Sequence, residues 1–238
     1  MVPQWQKAIV TRIEQETPGT RRYWLELPET NRFEFKPGQF VTLDLPIHEK
    51  RNKRWRSYSI ASMPDGSNVI ELVIVYLDGG LGTDYIFSNV EVGSELMLRG
   101  PQGVFVLPEE LPEDLFLICT GTGIAPFRSM VHYIKKHLIP HGNIYLIFGT
   151  RTQENLLYYN EMRELDNQMS NFHYMPILSR EKWFGRTGYV HEVYGPLCDN
   201  KPNAHFMLCG WKDMVDEAKK CILDKGYDKK AIHLELYG

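Results

Sequence analysis

Three groups of residues in this chain have types and spacings that chemistry uses. The first is the turn Gly121-Thr122-Gly123, which follows the short apolar run 115–119 and precedes Pro126. A buried strand, a glycine turn and a helix with proline in its first turn bring free backbone N–H groups and a positive dipole end together. A nucleotide pyrophosphate needs that arrangement, with Thr122 and Gly123 against the phosphates. Pro126 stands near the third glycine of G-x-G-x-x-G, so the turn alone also suits a tight strand–helix junction with no ligand.

The second group is Arg56-Ser57-Tyr58-Ser59. In a strand, Arg56 and Tyr58 project from one face and Ser57 and Ser59 from the other. A guanidinium grips a pyrophosphate, a phenol ring stacks on a flat heterocycle, and a hydroxyl bonds a ring nitrogen. An ordinary amphipathic strand would use the same residues. The third group is Cys209-Gly210, closing the apolar run HFMLCG. A buried core cysteine is the plain alternative there.

The elements that must hold these groups divide the chain. From residue 6 to about 106 the segments KAIVTRIEQET, RRYWLEL, QFVTLDL, RSYSIAS, VIELVIVY and SELMLRG are rich in β-branched and aromatic residues. Turns at Pro18-Gly19, Pro37-Gly38, Asp65-Gly66 and Gly79-Gly80 separate them. Six strands without a long helix predict a small antiparallel β-barrel. A crossing segment with prolines at 101, 108 and 112 follows, where the composition changes. Strands and helices then alternate, which predicts a doubly wound α/β parallel sheet whose ligands sit at the carboxyl ends of its strands. Phe127, Val131, Ile134 and Leu138 recur at helical spacing. So do Met214, Val215, Ala218, Cys221 and Ile222, with Gly226 as the C-terminal stop. The expected domains are 1–107 and 108–238.

Composition narrows the functional classes. The 238 residues are 43% hydrophobic with a net charge of −3, which is ample for two cores and gives no global attraction to nucleic acid or an anionic membrane. No apolar run approaches membrane-spanning length, and the opening MVPQWQKAIV has no signal-peptide core, so the expected location is the cytoplasm. Cys119, Cys198, Cys209 and Cys221 lack C-x-x-C or ferredoxin spacing. No metal site and no iron–sulfur cluster is expected.

Taken in order, Arg56-Ser57-Tyr58-Ser59, Gly-Leu-Gly-Thr at 80–83, GPQGVF at 100–105, GTGIAPF at 121–127, Cys209-Gly210 and Glu-Leu-Tyr at 235–237 resemble the ferredoxin–NADP reductase superfamily over essentially the whole chain. The resemblance implies FAD on the barrel and NADP(H) or NAD(H) on the α/β half. It implies that Arg56 contacts the FAD pyrophosphate beside Ser57, that Tyr58 stacks on the isoalloxazine and that Ser59 bonds flavin N5. Val73, Ile74 and Val75 match the strand along the flavin, and Gly82 and Thr83 match the loop and helix start that bind phosphate. Cys209 would lie beside the nicotinamide, Glu235 would act with it, and Tyr237 would cover the flavin. Gly238 extends one residue beyond the tyrosine that ends plastid-type relatives. As implied by the resemblance, Ser59, Cys209 and Glu235 are the catalytic set.

For the choice of nucleotide, an acid after the second strand favours NAD and a nearby arginine favours NADP. NIYLIFGT ends in Arg151, and the third strand ends in Ser179-Arg180-Glu181 with Arg186 and Tyr189 beyond. Ser179, Arg180 and Tyr189 resemble the cluster that grips a 2′-phosphate. The implied activity is an oxidoreductase, a ferredoxin or flavodoxin–NAD(P) reductase in which hydride passes between nicotinamide and flavin and electrons pass singly to a separate small acidic carrier. With no iron–sulfur domain, globin or cytochrome in the sequence, the acceptor is expected to be another molecule and the protein a monomer. The run KRNKRWR at 50–56 has three readings: a solvated loop, a holder of FAD phosphates, or a dock for that carrier. An NADH-dependent reductase component of an oxygenase system, and a non-catalytic nucleotide-binding regulatory subunit, are the alternatives to the ferredoxin reading.

Overall fold

The computed structural model describes residues 3–111 and 113–237. Met1, Val2, Pro112 and Gly238 lie outside the described residues, and with them one proline of the crossing segment and the residue after Tyr237. The chain divides into two compact units, Met1–Leu107 with Ala125–Tyr133, and Pro108–Ile124 with Ile134–Gly238.

In the first unit β1 (Trp5–Thr17), β2 (Thr20–Glu26), β3 (Phe40–Asp44), β4 (Trp55–Ser59), β5 (Val69–Val75) and β6 (Glu95–Gln102) form one sheet. Its order is β4-β3-β6-β1-β2-β5, and every pair is antiparallel. The period-2 alternation sends Ala8, Val10, Tyr23, Leu25, Val41, Leu43, Ile70, Leu72, Ile74, Leu96 and Leu98 into one core. Each buried Val, Leu or Ile among these contributes roughly 1.5–3 kcal/mol. β4 and β5, at the two ends of this order, meet through the bridge Ile60↔Leu72. The strand pattern misses one element, helix α1 (Leu81–Asn89). Its nine residues bury Gly82 and Ile86, too few for an apolar period to be legible.

The second unit carries β7 (Asp114–Thr120), α2 (Ile124–His137), β8 (Asn143–Thr150), α3 (Tyr159–Gln168), β9 (Phe172–Leu178), β10 (Arg186–Thr187), α4 (Val190–Leu197), β11 (Ala204–Trp211), α5 (Lys212–Asp224) and β12 (Ile232–Tyr237). The sheet is parallel in the order β10-β9-β8-β7-β11-β12, so the winding direction reverses between β7 and β11. That reversal opens the crevice at which doubly wound sheets bind nucleotides.

Two local expectations are corrected, and one short strand had no sequence signal. Phe127, Val131 and Ile134 are buried, but Leu138 is 85% exposed because it takes a left-handed φ of 50° that ends α2. The segment NLLYYNEMRELDNQ, 155–168, reads as helical throughout, but its helix starts at Tyr159, because Tyr158 is itself left-handed and 153–155 form a separate 3-10 turn. β10, two residues long, is too short to leave a sequence period. In α5, by contrast, Val215, Ala218 and Ile222 are buried as the spacing predicts. Gly226, at φ 84°, receives the turn that ends that helix, donating to Leu223 O at 2.8 Å.

Candidate cofactor sites

On the barrel, the strand that pairs Val41 with Tyr58 and Leu43 with Arg56 points Arg56 at the start of α1. Gly82 there has no room for a side chain, since a Cβ would stand 2.9 Å from Arg56 Cγ and 3.0 Å from Nε. Arg56 donates to the carbonyls of Lys53 at 3.1 Å and Trp55 at 2.8 Å, which fixes its guanidinium beside the helix. The N–H groups of Leu81, Gly82 and Thr83 have no acceptor within the helix, the first helical bond being Asp84 N–H to Gly80 O at 2.8 Å. A guanidinium beside three such donors is an anion cradle of the kind a pyrophosphate fits. Thr83 contributes its backbone N–H to this cradle, while its hydroxyl is engaged elsewhere. Its hydroxyl lies 3.1 Å from Leu77 O, 3.0 Å from Gly80 O and 3.2 Å from Leu77 N, so it ties down the loop before the helix.

Along β4, Ser57 is exposed, with its Oγ 3.1 Å from Thr42 Oγ1, and Ser59 is 5% exposed. Tyr58 packs half-buried on the barrel core. Burial pushes its hydroxyl above the ordinary range, against the pull of Arg56. Of the expected flavin strand, Ile74 belongs to the core and offers a ligand only its backbone, while Val75 is 38% exposed on the opposite face from it. Three residues that the motifs did not single out complete this end. Glu71, 3% exposed, accepts from Arg22 Nε at 2.6 Å and from the Arg128 guanidinium at 3.0 Å. The signal available in sequence was a lone acid inside the apolar strand VIELVIV.

In the α/β unit the glycines act by proximity. A Cβ on Gly123 would stand 2.4 Å from the carbonyl oxygen of Cys209, and one on Gly210 would stand 2.5 Å from Thr120 Oγ1. Gly121 and Gly210 also have φ of 54° and 141°, which favour glycine. These constraints press the turn Gly121-Thr122-Gly123 onto the end of β11 and leave Trp211, 53% exposed, at its edge. Cys209 is in register with Cys119 on β7 and with Glu235 on β12, so the three side chains stand in a row on one face. Burial pushes the Cys209 thiol well up and the Glu235 carboxylate adds to this, while a hydrogen bond with Tyr237 opposes it. Cys209 is therefore a neutral thiol rather than a thiolate nucleophile.

At the ends of β8 and β9, Arg180 N–H donates to Arg151 O at 3.0 Å, and Ser179 Oγ donates to Thr150 O at 3.3 Å. Both arginines are exposed. Tyr189, 60% exposed before α4, stacks on His191 with ring centres 5.8 Å apart. The spacing did not single out Glu181, whose carboxylate accepts from Gln153 N–H at 2.7 Å, in the segment that follows β8. In the basic run, Arg54 pairs with Asp44 at 2.7 Å, whereas Lys50 and Lys53 extend into solvent.

Residues 7–107 match the oxidoreductase FAD-binding domain and residues 117–220 the oxidoreductase NAD-binding domain. The chain is 32% identical to ferredoxin–NADP reductase B of Sorangium cellulosum over 97% of both lengths. The chain belongs to the ferredoxin–NADP reductase superfamily. This reductase is also 30% identical to the anthranilate 1,2-dioxygenase electron transfer component of Acinetobacter baylyi, over 91% of its own length but 62% of that protein's. It superposes on Amycolatopsis cytochrome P450 reductase GcoB with a TM-score of 0.87 at 26% identity, covering 99% of this chain and 71% of that one. Its cofactors are FAD and a nicotinamide dinucleotide, and both sites fit them: an anion cradle at Arg56 and Gly82, and a glycine turn at a sheet reversal. No helix among the described residues is long and apolar enough to cross a membrane.

Proposed function

We propose that this reductase oxidises NADPH and passes the electrons singly to a separate ferredoxin or flavodoxin. The observation that carries the reading is the Ser179-Arg180 pair hydrogen-bonded to the end of β8 beside Arg151, two exposed guanidinium groups where a 2′-phosphate would lie. The match to a protein named ferredoxin–NADP reductase over nearly its whole length supports it. FAD, when bound, supplies the exchange between a two-electron hydride and single electrons. The residues bind, orient and shield. Arg56 and the α1 N-terminus would hold the pyrophosphate, Tyr58 would lie on the ring, and Ser59 would hydrogen-bond it. Cys209 keeps its proton on Sγ beside Glu235, a neutral apolar wall for the nicotinamide.

An NADH-dependent reductase of an oxygenase is the second reading. It is favoured by the Glu181 carboxylate, which is bonded to the segment that follows β8, and by the relative named as a dioxygenase electron transfer component. Steady-state assays with NADPH and NADH in parallel, first with an artificial acceptor and then with purified ferredoxin and flavodoxin, separate the two. The expected result is a kcat/KM for NADPH at least about tenfold above that for NADH, with reduction of one carrier; one charge-assisted bond suffices for that ratio. Preference for NADH would favour the oxygenase reading, and turnover with neither nucleotide would leave a non-catalytic nucleotide-binding subunit.

A further inference from the structure

The barrel's ladders are long except at one place. β2 and β5 share seven registered pairs, whereas β4 and β5, the strands assigned to the flavin, share no ladder among the described residues and meet at the bridge Ile60↔Leu72, beside which Ala61 N–H donates to Glu71 O at 2.8 Å. Ser59 directly precedes this seam on one strand and Val73 directly follows it on the other. Arg128, in the part of α2 that belongs to the barrel unit, donates to Ala61 O at 2.8 Å and to the Glu71 carboxylate at 3.0 Å. It thus bonds both sides of the seam with one guanidinium. Arg22 holds the other carboxylate oxygen at 2.6 Å, and Glu71 N–H donates to Ser62 Oγ at 3.0 Å.

We propose that Arg128 is a positioning residue for the flavin: with Glu71 and Arg22 it sets the spacing of β4 and β5 at the seam, and so the distance between the two strands that hold the isoalloxazine. The proposal rests on the assignment of FAD to those strands. Stability alone does not account for the group. Charges buried this deeply, with Glu71 at 3%, Arg128 at 12% and Arg22 at 18% side-chain exposure, give little net stabilisation over an apolar filling. Directional bonds, however, fix geometry. A cavity of about 200 Å³ lined by Ser62, Met63, Asp65, Glu71, Arg128 and His132 opens on the same side chains. The bonds, rather than packing from every side, hold the guanidinium in place.

The test titrates FAD into apoprotein, follows quenching of flavin fluorescence, and records the visible circular dichroism of the bound flavin. Arg128→Met should raise the FAD Kd at least tenfold and weaken the dichroism, with Glu71→Gln moving both the same way. Arg128→Lys, which keeps one donor, should recover part of each. Leu96→Ala, in the same core but remote from the seam in sequence, serves as a control for stability, with a lowered Tm and an unchanged Kd and dichroism. If Arg128→Met does not fold, Arg128→Lys and Glu71→Gln carry the same reading. Unchanged Kd and dichroism in these variants, or changes that only follow Tm as in Leu96→Ala, would overturn the proposal. If Tyr58→Ala also binds FAD normally, the strand assignment itself fails. A normal Arg128 series beside a weakened Tyr58→Ala sinks the positioning role alone.

Discussion

At the end of the barrel where the flavin is proposed to bind, Arg56, Tyr58 and Ser59 stand on a strand, and the contacts there are side chain against side chain: an arginine stem on Gly82, a tyrosine on the core, a carboxylate between two arginines. At the sheet reversal of the α/β unit the close contacts instead involve bare glycine backbone, Gly123 on the Cys209 carbonyl and Gly210 on the Thr120 hydroxyl and backbone. The barrel site is shaped by what its residues carry, and the dinucleotide site largely by what its glycines omit. A side-chain contact loses a variable part of its energy when trimmed, because neighbours relax partly into the gap. A backbone contact tolerates no addition, because the strand itself must move.

The contrast is broken most directly by adding one methyl group. Gly123→Ala should destabilise by about 3 kcal/mol, near the upper end for overpacking, and abolish dinucleotide binding. That corresponds to a Tm lowered by about 6–12 °C. Gly19→Ala, with nothing within 4 Å of the new atom, is the control. It should stay within about 0.5 kcal/mol in chemical denaturation. A harmless Gly123→Ala would end the contrast.

Arg180→Ala removes a side chain from the same unit without touching its backbone fit. If Arg180 binds a 2′-phosphate, KM for NADPH should rise by about 10- to 150-fold, with Tm unchanged and NADH kinetics nearly so. Equal losses with both nucleotides would mean that Arg180 does not read the phosphate.

On the barrel side, Tyr58→Ala should weaken FAD by about 2- to 12-fold, the value of one stacked ring, measured by titration of apoprotein. Full retention with an unchanged spectrum would take the ring off the flavin. Lys50→Glu with Lys53→Glu should slow association with an acidic carrier about threefold at low salt and flatten its salt dependence, while turnover with a small neutral acceptor survives. Loss of both activities would assign the basic run to FAD phosphates.

The smallest expected effect lies at β12. Burial, and then His205, lower the His233 pKa from its ordinary 6.5, so the folded state binds fewer protons than the unfolded one. Its contribution is complete above pH 6.5 and is lost as pH falls through the window between that value and the lowered one. His233→Gln should make the decline of Tm between pH 7 and 5 shallower, and an unchanged slope would exclude the histidine as a cause.

The sequence by itself determined the elements and the motif residues, because both are local. The short apolar run 69–75 marks a buried strand, and a glycine turn between an apolar run and a proline marks the first strand–helix junction of the α/β unit. Where an element was too short to show a period, as in α1 and β10, or where one residue left the helical region, as at Leu138 and Tyr158, the local pattern failed. Only the tertiary structure decided that Gly123 must be bare against Cys209, that the Thr83 hydroxyl serves its own loop, and that Glu71 meets Arg22 and Arg128. The partners in the first and last of these contacts lie tens of residues apart in the chain. Strand register and helix placement, not any spacing along the sequence, bring them into contact.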